Sequence, residues 1–260
     1  MDLELRGKKA LVSGSTAGIG FAIAAGLARE GASVIVNGRT EERVRAAIAN
    51  IGGGNLHGFA GDLSDAEVIA RLIEGHPDVD VLINNLGVFE PRPFAEISDD
   101  EWTRMWETNV MSGVRLSRHY FTGMLRRNWG RVIFISSESG VQVPAEMIHY
   151  GVTKTAQVAV ARGMAEVSAG TGVTVNSVLA GPTKSEGAGA FIKQMAESQK
   201  TDEAAIERMF FEKIRPSSLL KRFATTEEVA NLVVYLASPR ASATNGAAVR
   251  AEGGVVRAIL

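Results

Sequence analysis

Three side chains near the middle of the sequence have the types and spacing for acid–base chemistry. Tyr150 and Lys154 lie four residues apart, so on a helix they would share one face. An ammonium group beside a phenol favours the phenolate and lowers the tyrosine pKa toward the working range of an acid–base catalyst. Ser137 ends the apolar run 131–137 and could bind the same substrate oxygen from a strand end. Because Tyr-x-x-x-Lys also occurs on surface helices, the elements around it must decide its meaning.

Short apolar runs alternate with longer helical patterns along the whole chain. Five of the runs, at 10–12, 34–36, 79–83, 132–135 and 173–178, are rich in β-branched residues and apolar on both faces, as in parallel strands covered by helices. We predict strands at 10–12, 34–36, 56–60, 79–83, 132–135, 173–178 and 247–249, and helices at about 18–30, 40–50, 64–75, 99–128, 150–169 and 226–237. The repeated β-α-β order predicts an α/β fold: one domain, 1–260, with a doubly wound parallel sheet of about seven strands and helices on both faces.

One segment, residues 183–222, interrupts this alternation. It runs without a predicted strand and is mostly helical in pattern between 188 and 211. It follows the strand that ends near Val178, on the carboxyl side of the sheet, where open α/β sheets bind ligands. Long excursions in compact domains are usually functional, so we predict a substrate-binding lid here, with Phe191, Met195, Met209 and Phe210 as candidates for its apolar lining or for core.

Composition excludes several classes of protein. The chain has 260 residues, a formal net charge of −1 and no cysteine, which rules out disulfides and thiolate sites and argues against nucleic-acid or anionic-membrane partners. No apolar run approaches the roughly 20 residues that span a bilayer, and the first residues do not form a secretory signal. The four histidines lack metal-ligand spacing, so we expect no metal site. A cytoplasmic location is expected.

The first predicted strand runs directly into a glycine-rich turn that opens a helix. Glycines 14, 18 and 20, with Ser15 and Ile19 between them, let backbone N–H groups approach a phosphate at the positive end of the helix dipole. Such a turn is often only a turn, but its position between strand and helix favours a phosphate-binding site.

The second strand ends without an acidic residue. The NAD ribose is usually bound by a carboxylate about 20 positions beyond the glycines, whereas this chain has Asn37 and then Arg39. A guanidinium can pair bidentately with a 2′-phosphate that a carboxylate would repel. We therefore predict NADP(H) in preference to NAD(H), the alternative being that Arg39 is a solvated loop residue.

Polar residues and a glycine also follow the next two strands. Asp62 and Leu63 come after the third strand, and 84–87, which includes Asn85 and Gly87, comes after the fourth. At strand carboxyl ends these residues could hold the adenine and a ribose, although Asp, Asn and Gly favour ordinary turns as well.

These patterns together resemble one family, the classical short-chain dehydrogenases/reductases, and in particular its 3-oxoacyl-acyl-carrier-protein-reductase-like members. The resemblance covers essentially the whole chain, and its motifs are specific only in combination. Leu86 stands where the family usually has alanine, and Glu252 where aspartate is frequent. The motifs, in order, are Gly14-x-x-x-Gly18-Ile19-Gly20, Asn84-Asn85-x-Gly87, Asn109, Ser137, Tyr150-x-x-x-Lys154 and Gly181-Pro182.

The resemblance implies the Rossmann-type fold and a role for each motif residue. Tyr150 would be the general acid in reduction and general base in oxidation, and Ser137 would hold the carbonyl. Lys154 would bind the nicotinamide ribose, and Asn109 would position a water for proton relay. Pro182 and Thr183 would lie beside the nicotinamide carboxamide, with Thr183 as a candidate hydrogen-bond partner.

Several alternatives stay open at this stage. Ser136, Ser139 and His149 neighbour the motif, but the family spacing selects Ser137. A catalytically silent nucleotide-binding regulator would be expected to lack the tyrosine, lysine or serine. The sequence does not identify the substrate. A basic cluster at Arg126, Arg127 and Arg131 would suit an acyl carrier protein, but a solvated helix end explains it better. The resemblance implies a homotetramer that packs through 99–128 and 150–169.

Overall fold

The strand order of the computed structural model, which describes residues 2–259, is that of a dinucleotide-binding sheet. Seven parallel strands lie in the order β3-β2-β1-β4-β5-β6-β7, which confirms the predicted doubly wound sheet. The strands are β1 (Lys9–Val12), β2 (Ser33–Gly38), β3 (Asn55–Ala60), β4 (Val81–Asn84), β5 (Gly130–Ser137), β6 (Val173–Ala180) and β7 (Ala248–Ala251). The order reverses between β1 and β4, so a ligand-binding crevice is expected at their carboxyl ends.

Helices cover both faces of the sheet and bury two separate apolar clusters. One cluster lies against α1 and α9, and the other against α3, α5 and α6. The helices are α1 (Gly18–Arg29), α2 (Glu41–Ile51), α3 (Ala66–Gly75), α4 (Asp99–Trp106), α5 (Ser112–Arg127), α6 (Ile148–Val167), α7 (Glu186–Gln199), α8 (Glu203–Met209) and α9 (Thr226–Leu236). Thr225 and Glu228 form the capping box that their spacing predicts.

The predicted helix 99–128 is interrupted in the middle. A π-helical turn, Glu107–Met111, separates α4 from α5 and contains Asn109. Such a turn leaves a backbone carbonyl without its regular helical partner, and the Gln157 amide donates to the Asn109 carbonyl oxygen at 2.5 Å. The interruption therefore sets the position of Asn109 relative to α6.

The segment 183–222 leaves the sheet and returns to it at one point. Thr183 and Ala224 form a parallel bridge, and Ala224 N–H donates to the Pro182 carbonyl oxygen at 2.9 Å. Between these ends, α7 and α8 enclose a third apolar cluster that is separate from the two under the sheet. Met195, Met209 and Phe210 pack against this cluster, while the side chain of Phe191 lies outside the described part of the structure.

Candidate active site

A large cavity opens at the carboxyl ends of β1 and β4, where the strand order reverses. Its volume is about 810 Å³, within the usual range for a pocket that holds a cofactor and a small substrate. The predicted site residues in its wall are Gly14, Ile19, Gly20, Asn85, Gly87, Ser137, Tyr150, Lys154, Pro182 and Thr183. The other predicted residues, namely Ser15, Gly18, Asn37, Arg39, Asp62, Leu63 and Asn109, lie outside its wall.

The glycine turn is shaped for close backbone approach to a ligand. Gly18 begins α1 with a φ of +59°, which favours glycine, and the helix starts without a side-chain cap from Ala17. A Cβ at Gly20 would overlap the Gly14 carbonyl oxygen and the side chain of Asn85. The helix N-terminus faces the cavity through Ile19 and Gly20, so the residues present fit a dinucleotide phosphate.

Asn37 organises this turn from beneath. Its side-chain oxygen accepts from Gly14 N–H at 2.9 Å, and its amide donates to the carbonyls of Phe59 and Gly61. Its backbone N–H donates to the Ser15 hydroxyl at 2.9 Å. The side chain is buried and fully engaged, so Asn37 joins the ends of β1, β2 and β3 rather than facing a ribose.

Asn85 makes a similar connection from β4. Its amide donates to the carbonyls of Ser13 and Gly14 at 3.0 Å each, while its backbone N–H donates to the Ser13 hydroxyl at 2.9 Å. Ser13 also accepts from Leu86 N–H at 3.0 Å. These bonds fix the two sides of the crevice against each other.

Asp62, Leu63 and Arg39 follow the ends of β3 and β2 and lie outside the cavity wall. Asp62 accepts from the backbone N–H and the hydroxyl of Ser64, which is ordinary turn chemistry, and Leu63 is buried in the second apolar cluster. Arg39 is exposed directly after β2. Of these three, Arg39 is the one with a cationic side chain, and no ion pair is found for it among the described residues.

Tyr150 and Lys154 lie on the first turns of α6 and both face the cavity, as their spacing predicts. Lys154 Nζ is 5.6 Å from the centroid of the Tyr150 ring. It donates to the Ile135 carbonyl oxygen at 2.8 Å and to Gln157 Oε1 at 3.1 Å. Burial lowers the pKa of Lys154 to about 7.

The pKa of Tyr150 is raised, whereas the sequence analysis expects the neighbouring lysine to lower it. Burial raises it well above its ordinary value, and a hydrogen bond with Ser137 opposes this rise. The charges acting on the phenol are those of Glu138, which raises the pKa, and Arg215, which lowers it. The phenol is therefore protonated at neutral pH, because desolvation outweighs the favourable contacts of the phenolate.

The three serines at the end of β5 have different partners. Ser136 donates to the Lys154 backbone carbonyl at 2.8 Å, and Ser139 donates to Glu138 Oε2 at 2.6 Å. Ser137 shares a hydrogen bond with Tyr150 and also donates to Glu138 Oε2 at 2.6 Å. Adjacent strand residues face opposite sides, and Ser137 is the serine placed with the phenol.

Asn109 lies behind the cavity and is fully hydrogen-bonded within the protein. Its side chain exchanges two bonds with the backbone of Val88 and donates to Thr153 Oγ1 at 3.0 Å. Gln157 donates to the Asn109 carbonyl while accepting from Lys154, so this carboxamide links the two residues directly. Sequence reasoning missed Gln157, although its position three residues after Lys154 on α6 places it on a neighbouring face.

Two other candidates belong to the framework. His149 is 2% exposed and lies edge-on to Trp102, with ring centroids 5.9 Å apart, outside the cavity wall. Arg131 is not a solvated residue, because it is 2% exposed and donates to the carbonyls of Ser238, Gly130 and Gly172. The basic cluster expected for an acyl carrier protein therefore lacks Arg131. Within residues 2–259, no cluster of three ligand-type side chains could hold a metal ion.

Known proteins are similar to this chain in sequence. Residues 8–199 match the family model described as short chain dehydrogenase. The "Uncharacterized oxidoreductase YvrD" of Bacillus subtilis (strain 168) is 48% identical over 263 residues, and the match covers all of both chains. A 3-oxoacyl-[acyl-carrier-protein] reductase FabG of Aquifex aeolicus (strain VF5) is 32% identical over 98% of this chain and 100% of its own length.

A solved structure extends the likeness to the whole fold. L-sorbose reductase from Gluconobacter frateurii, complexed with NADPH and L-sorbose, superposes with a TM-score of 0.94, 29% identity and full coverage of both chains. The sheet, the crevice and these matches define the class: the protein is an NAD(P)-dependent dehydrogenase/reductase. The chain belongs to the short-chain dehydrogenase family. No helix in the described part of the chain is long and apolar enough to cross a membrane.

Proposed function

We propose that this protein is an NADP(H)-linked oxidoreductase that interconverts a carbonyl and a secondary alcohol, with Tyr150 as its general acid and base. The observation that carries the proposal is the shared placement of Tyr150, Ser137 and Lys154 in one cavity beside the glycine turn. The nicotinamide dinucleotide supplies or takes up the hydride when it is bound. The glycine turn, with Ile19 and Gly20 at the start of α1, is proposed to hold its phosphates.

The roles of the polar residues follow from their protonation and contacts. Tyr150, whose pKa burial raises, is protonated at neutral pH as an ordinary phenol is, and this is the state that donates a proton to a carbonyl oxygen during reduction. Ser137 lies beside it and would hold the same oxygen. Lys154 is proposed to hold a ribose at the cavity wall, and the Gln157 carboxamide holds the lysine against Asn109. Pro182 and Thr183, also in the wall, are proposed to meet the nicotinamide.

The segment 183–222 is proposed to be the substrate lid. A backbone bridge between Thr183 and Ala224, two residues beyond the segment, brings its two ends together beside the sheet. Four of its residues that directly follow α8 in the chain line the cavity together: Phe210, Lys213, Ile214 and Arg215. The lid therefore supplies both apolar and basic groups to the substrate side of the cavity.

A carbonyl panel tests the proposed reaction. L-sorbose, 5-ketogluconate and an acetoacetyl thioester represent compounds of the types named for similar proteins. NADPH oxidation should depend on at least one of them. If NADPH is bound tightly but not oxidised with any member of a broad panel, the catalytically silent regulator becomes the better account.

Cofactor preference depends on Arg39. We expect Arg39→Ala to lower kcat/KM for NADPH by about 10–100-fold, the scale of a lost charge-assisted hydrogen bond, and to leave kcat/KM for NADH nearly unchanged. The reason is that Asn37 is engaged internally, which leaves the 2′-position to Arg39. Arg45→Ala is the matched control, because Arg45 is exposed on α2. A wild-type preference for NADH would contradict the assignment.

We further propose that the protein is a homotetramer that packs partly through α6. Its outer face exposes apolar and small residues, with Val152 at 39% and Val167 at 66% exposure, and a Cβ at Gly163 would meet no atom within 4 Å. Such a face permits close helix packing. Light scattering should give four times the monomer mass, whereas a monomer at all concentrations would contradict the proposal. The cytoplasmic location, and the absence of nucleic-acid and membrane partners, stay predictions.

A further inference from the structure

The guanidinium of Arg215 is fixed in the lid side of the cavity wall. Arg215 directly follows the π-helical turn Phe210–Ile214, and its side chain is only 10% exposed. Its Nε donates to Glu138 Oε1 at 2.9 Å, while its Nη1 donates to Glu146 Oε1 at 3.0 Å and to the Ile214 carbonyl oxygen at 3.1 Å. A planar group held from two sides in this way has little freedom to turn.

One nitrogen of this guanidinium is left over. An arginine side chain has five N–H hydrogens, one on Nε and two on each Nη. The bonds above use the hydrogen of Nε and both hydrogens of Nη1. Arg215 Nη2 has no hydrogen-bond partner among the described residues, and it is not an enclosed, unpaired atom. Because the side chain lines the cavity, the two hydrogens of Nη2 are available to a bound ligand.

A free acceptor belongs to the group next to this donor. Glu146 Oε1 accepts from Arg215, but Glu146 Oε2 has no partner among the described residues, and the side chain is half-exposed in the cavity wall. Glu138 differs, because it is buried and its Oε2 accepts from the Ser139 hydroxyl at 2.6 Å. The free donor and the free acceptor therefore belong to two groups that are hydrogen-bonded to each other.

The formal charges on this side of the cavity cancel. Apart from Lys154, which is assigned to the ribose, the wall contains two acids, Glu138 and Glu146, and two bases, Lys213 and Arg215. A carboxylate or phosphate at Arg215 Nη2 would meet a guanidinium whose charge two carboxylates already offset. A hydroxyl group both donates and accepts, so it matches the free donor and acceptor without bringing a charge.

We propose that the substrate is a neutral hydroxy ketone, and that Arg215 and Glu146 determine specificity by binding its hydroxyl groups. This inference rests on the proposed function, in which Ser137 and Tyr150 bind the carbonyl oxygen. Glu138 follows Ser137 directly in the chain and holds Arg215, so the hydroxyl-binding groups lie on the substrate side beside the carbonyl-binding hydroxyls. The lid thus selects the substrate through a polar contact as well as through its apolar residues.

Two sets of small ketones test this assignment. The first set is 1-hydroxypropan-2-one, butan-2-one and pyruvate, and the second is 4-hydroxybutan-2-one, pentan-2-one and acetoacetate. Within each set one group changes from hydroxymethyl to ethyl to carboxylate, while the rest of the ketone is constant. The kcat/KM values with saturating NADPH are compared within each set, so that the preference for the hydroxyl group is measured directly.

The variants are chosen to remove the free donor or the free acceptor. Arg215→Lys keeps a positive charge for Glu138 but has a single nitrogen, and Glu146→Ala removes the acceptor. Arg208→Lys is the matched control, because Arg208 is exposed on α8 of the same lid and lies outside the cavity wall.

In wild type, we expect the hydroxymethyl ketone of at least one set to exceed its ethyl and carboxylate counterparts by about 10-fold or more in kcat/KM, the scale of one hydrogen bond to a charged group. Arg215→Lys and Glu146→Ala should each bring these ratios toward one, whereas Arg208→Lys should keep them. The absence of the preference from both sets overturns the proposal. An equal loss for all members of a set in Arg215→Lys, which a purely structural role would cause, overturns it as well.

Binding decides the matter if wild type reduces none of the six ketones. Saturation-transfer NMR on the wild-type protein saturated with NADPH should then give the strongest signal for the hydroxymethyl member of a set. That result would contradict the proposed reaction and support the hydroxyl site, whereas equal binding or no binding of the three members overturns the site. If Arg215→Lys does not fold, Glu146→Ala carries the comparison, because the Glu146 side chain is half-exposed.

Discussion

Tyr150→Phe should bind NADPH normally and lose at least about 100-fold in kcat, the lower scale for removal of a general acid. The hydroxyl lies in the cavity wall with Ser137, and with its pKa raised by burial it is protonated at neutral pH. Phenylalanine fills the same volume, so the walls of the cavity should be preserved. Steady-state kinetics with the best compound of the carbonyl panel measures kcat, and fluorescence titration measures NADPH affinity.

Tyr235→Phe is the control for this substitution. Tyr235 lies on α9, is 37% exposed and is outside the cavity wall, so its hydroxyl should be dispensable. Near-full turnover by Tyr150→Phe would remove the tyrosine from the mechanism. A parallel loss in both variants would point to a general effect on folding.

Lys154→Met should reduce kcat/KM at least about 100-fold and, unexpectedly for a site variant, make the protein more stable at neutral pH. The side chain is only 5% exposed, and burial lowers its pKa to about 7 from 10.5. Between these two values the unfolded chain binds a proton that the folded protein does not, so the free energy of unfolding rises with pH across this window. The penalty is full at pH 7 and below, and it vanishes toward pH 10.5.

Two opposing terms decide the size of the effect. The shift corresponds to roughly 5 kcal/mol at pH 7, and loss of the bonds to Ile135 and Gln157 costs about 1–3 kcal/mol. We therefore expect a net gain of about 2–4 kcal/mol at pH 7, which reverses sign between about pH 8 and pH 10 as the proton penalty disappears.

Urea unfolding of the cofactor-free protein at several pH values measures this difference. Lys193→Met is the control, because Lys193 is exposed on α7 and its substitution should show no such pH dependence. A difference between Lys154→Met and wild type that is constant with pH would show that Lys154 carries its charge normally in the folded state.

The sequence predicts the sheet and the placement of the central residues because these depend on local patterns. Buried β-branched runs predicted five of the seven strands, and the four-residue spacing correctly put Tyr150 and Lys154 on one face of α6. The glycine turn was predicted at the end of β1 because strand, turn and helix are contiguous in the chain. The Thr225 capping box is equally local.

Residues whose partners are distant in the chain were missed or misread. Glu138 and Arg215 are separated by 77 positions and Gln157 and Asn109 by 48, so no spacing pattern connects them. The sequence places Arg131 near two other arginines and so predicts a solvated residue. Its partner Ser238 lies 107 positions away, so no local pattern indicates that Arg131 is buried. The raised pKa of Tyr150 has the same origin, since burial depends on the whole fold and not on the neighbouring lysine.

The central claim is hydride transfer to a carbonyl carbon with a proton from Tyr150. NADPH deuterated at the transferable position of nicotinamide C4 should be incubated with the best carbonyl of the panel, and the alcohol analysed by mass spectrometry. The account predicts one deuterium on the carbinol carbon, formed by wild type and at least about 100-fold more slowly by Tyr150→Phe. Alcohol without deuterium, or labelled alcohol formed equally fast by Tyr150→Phe, would contradict it.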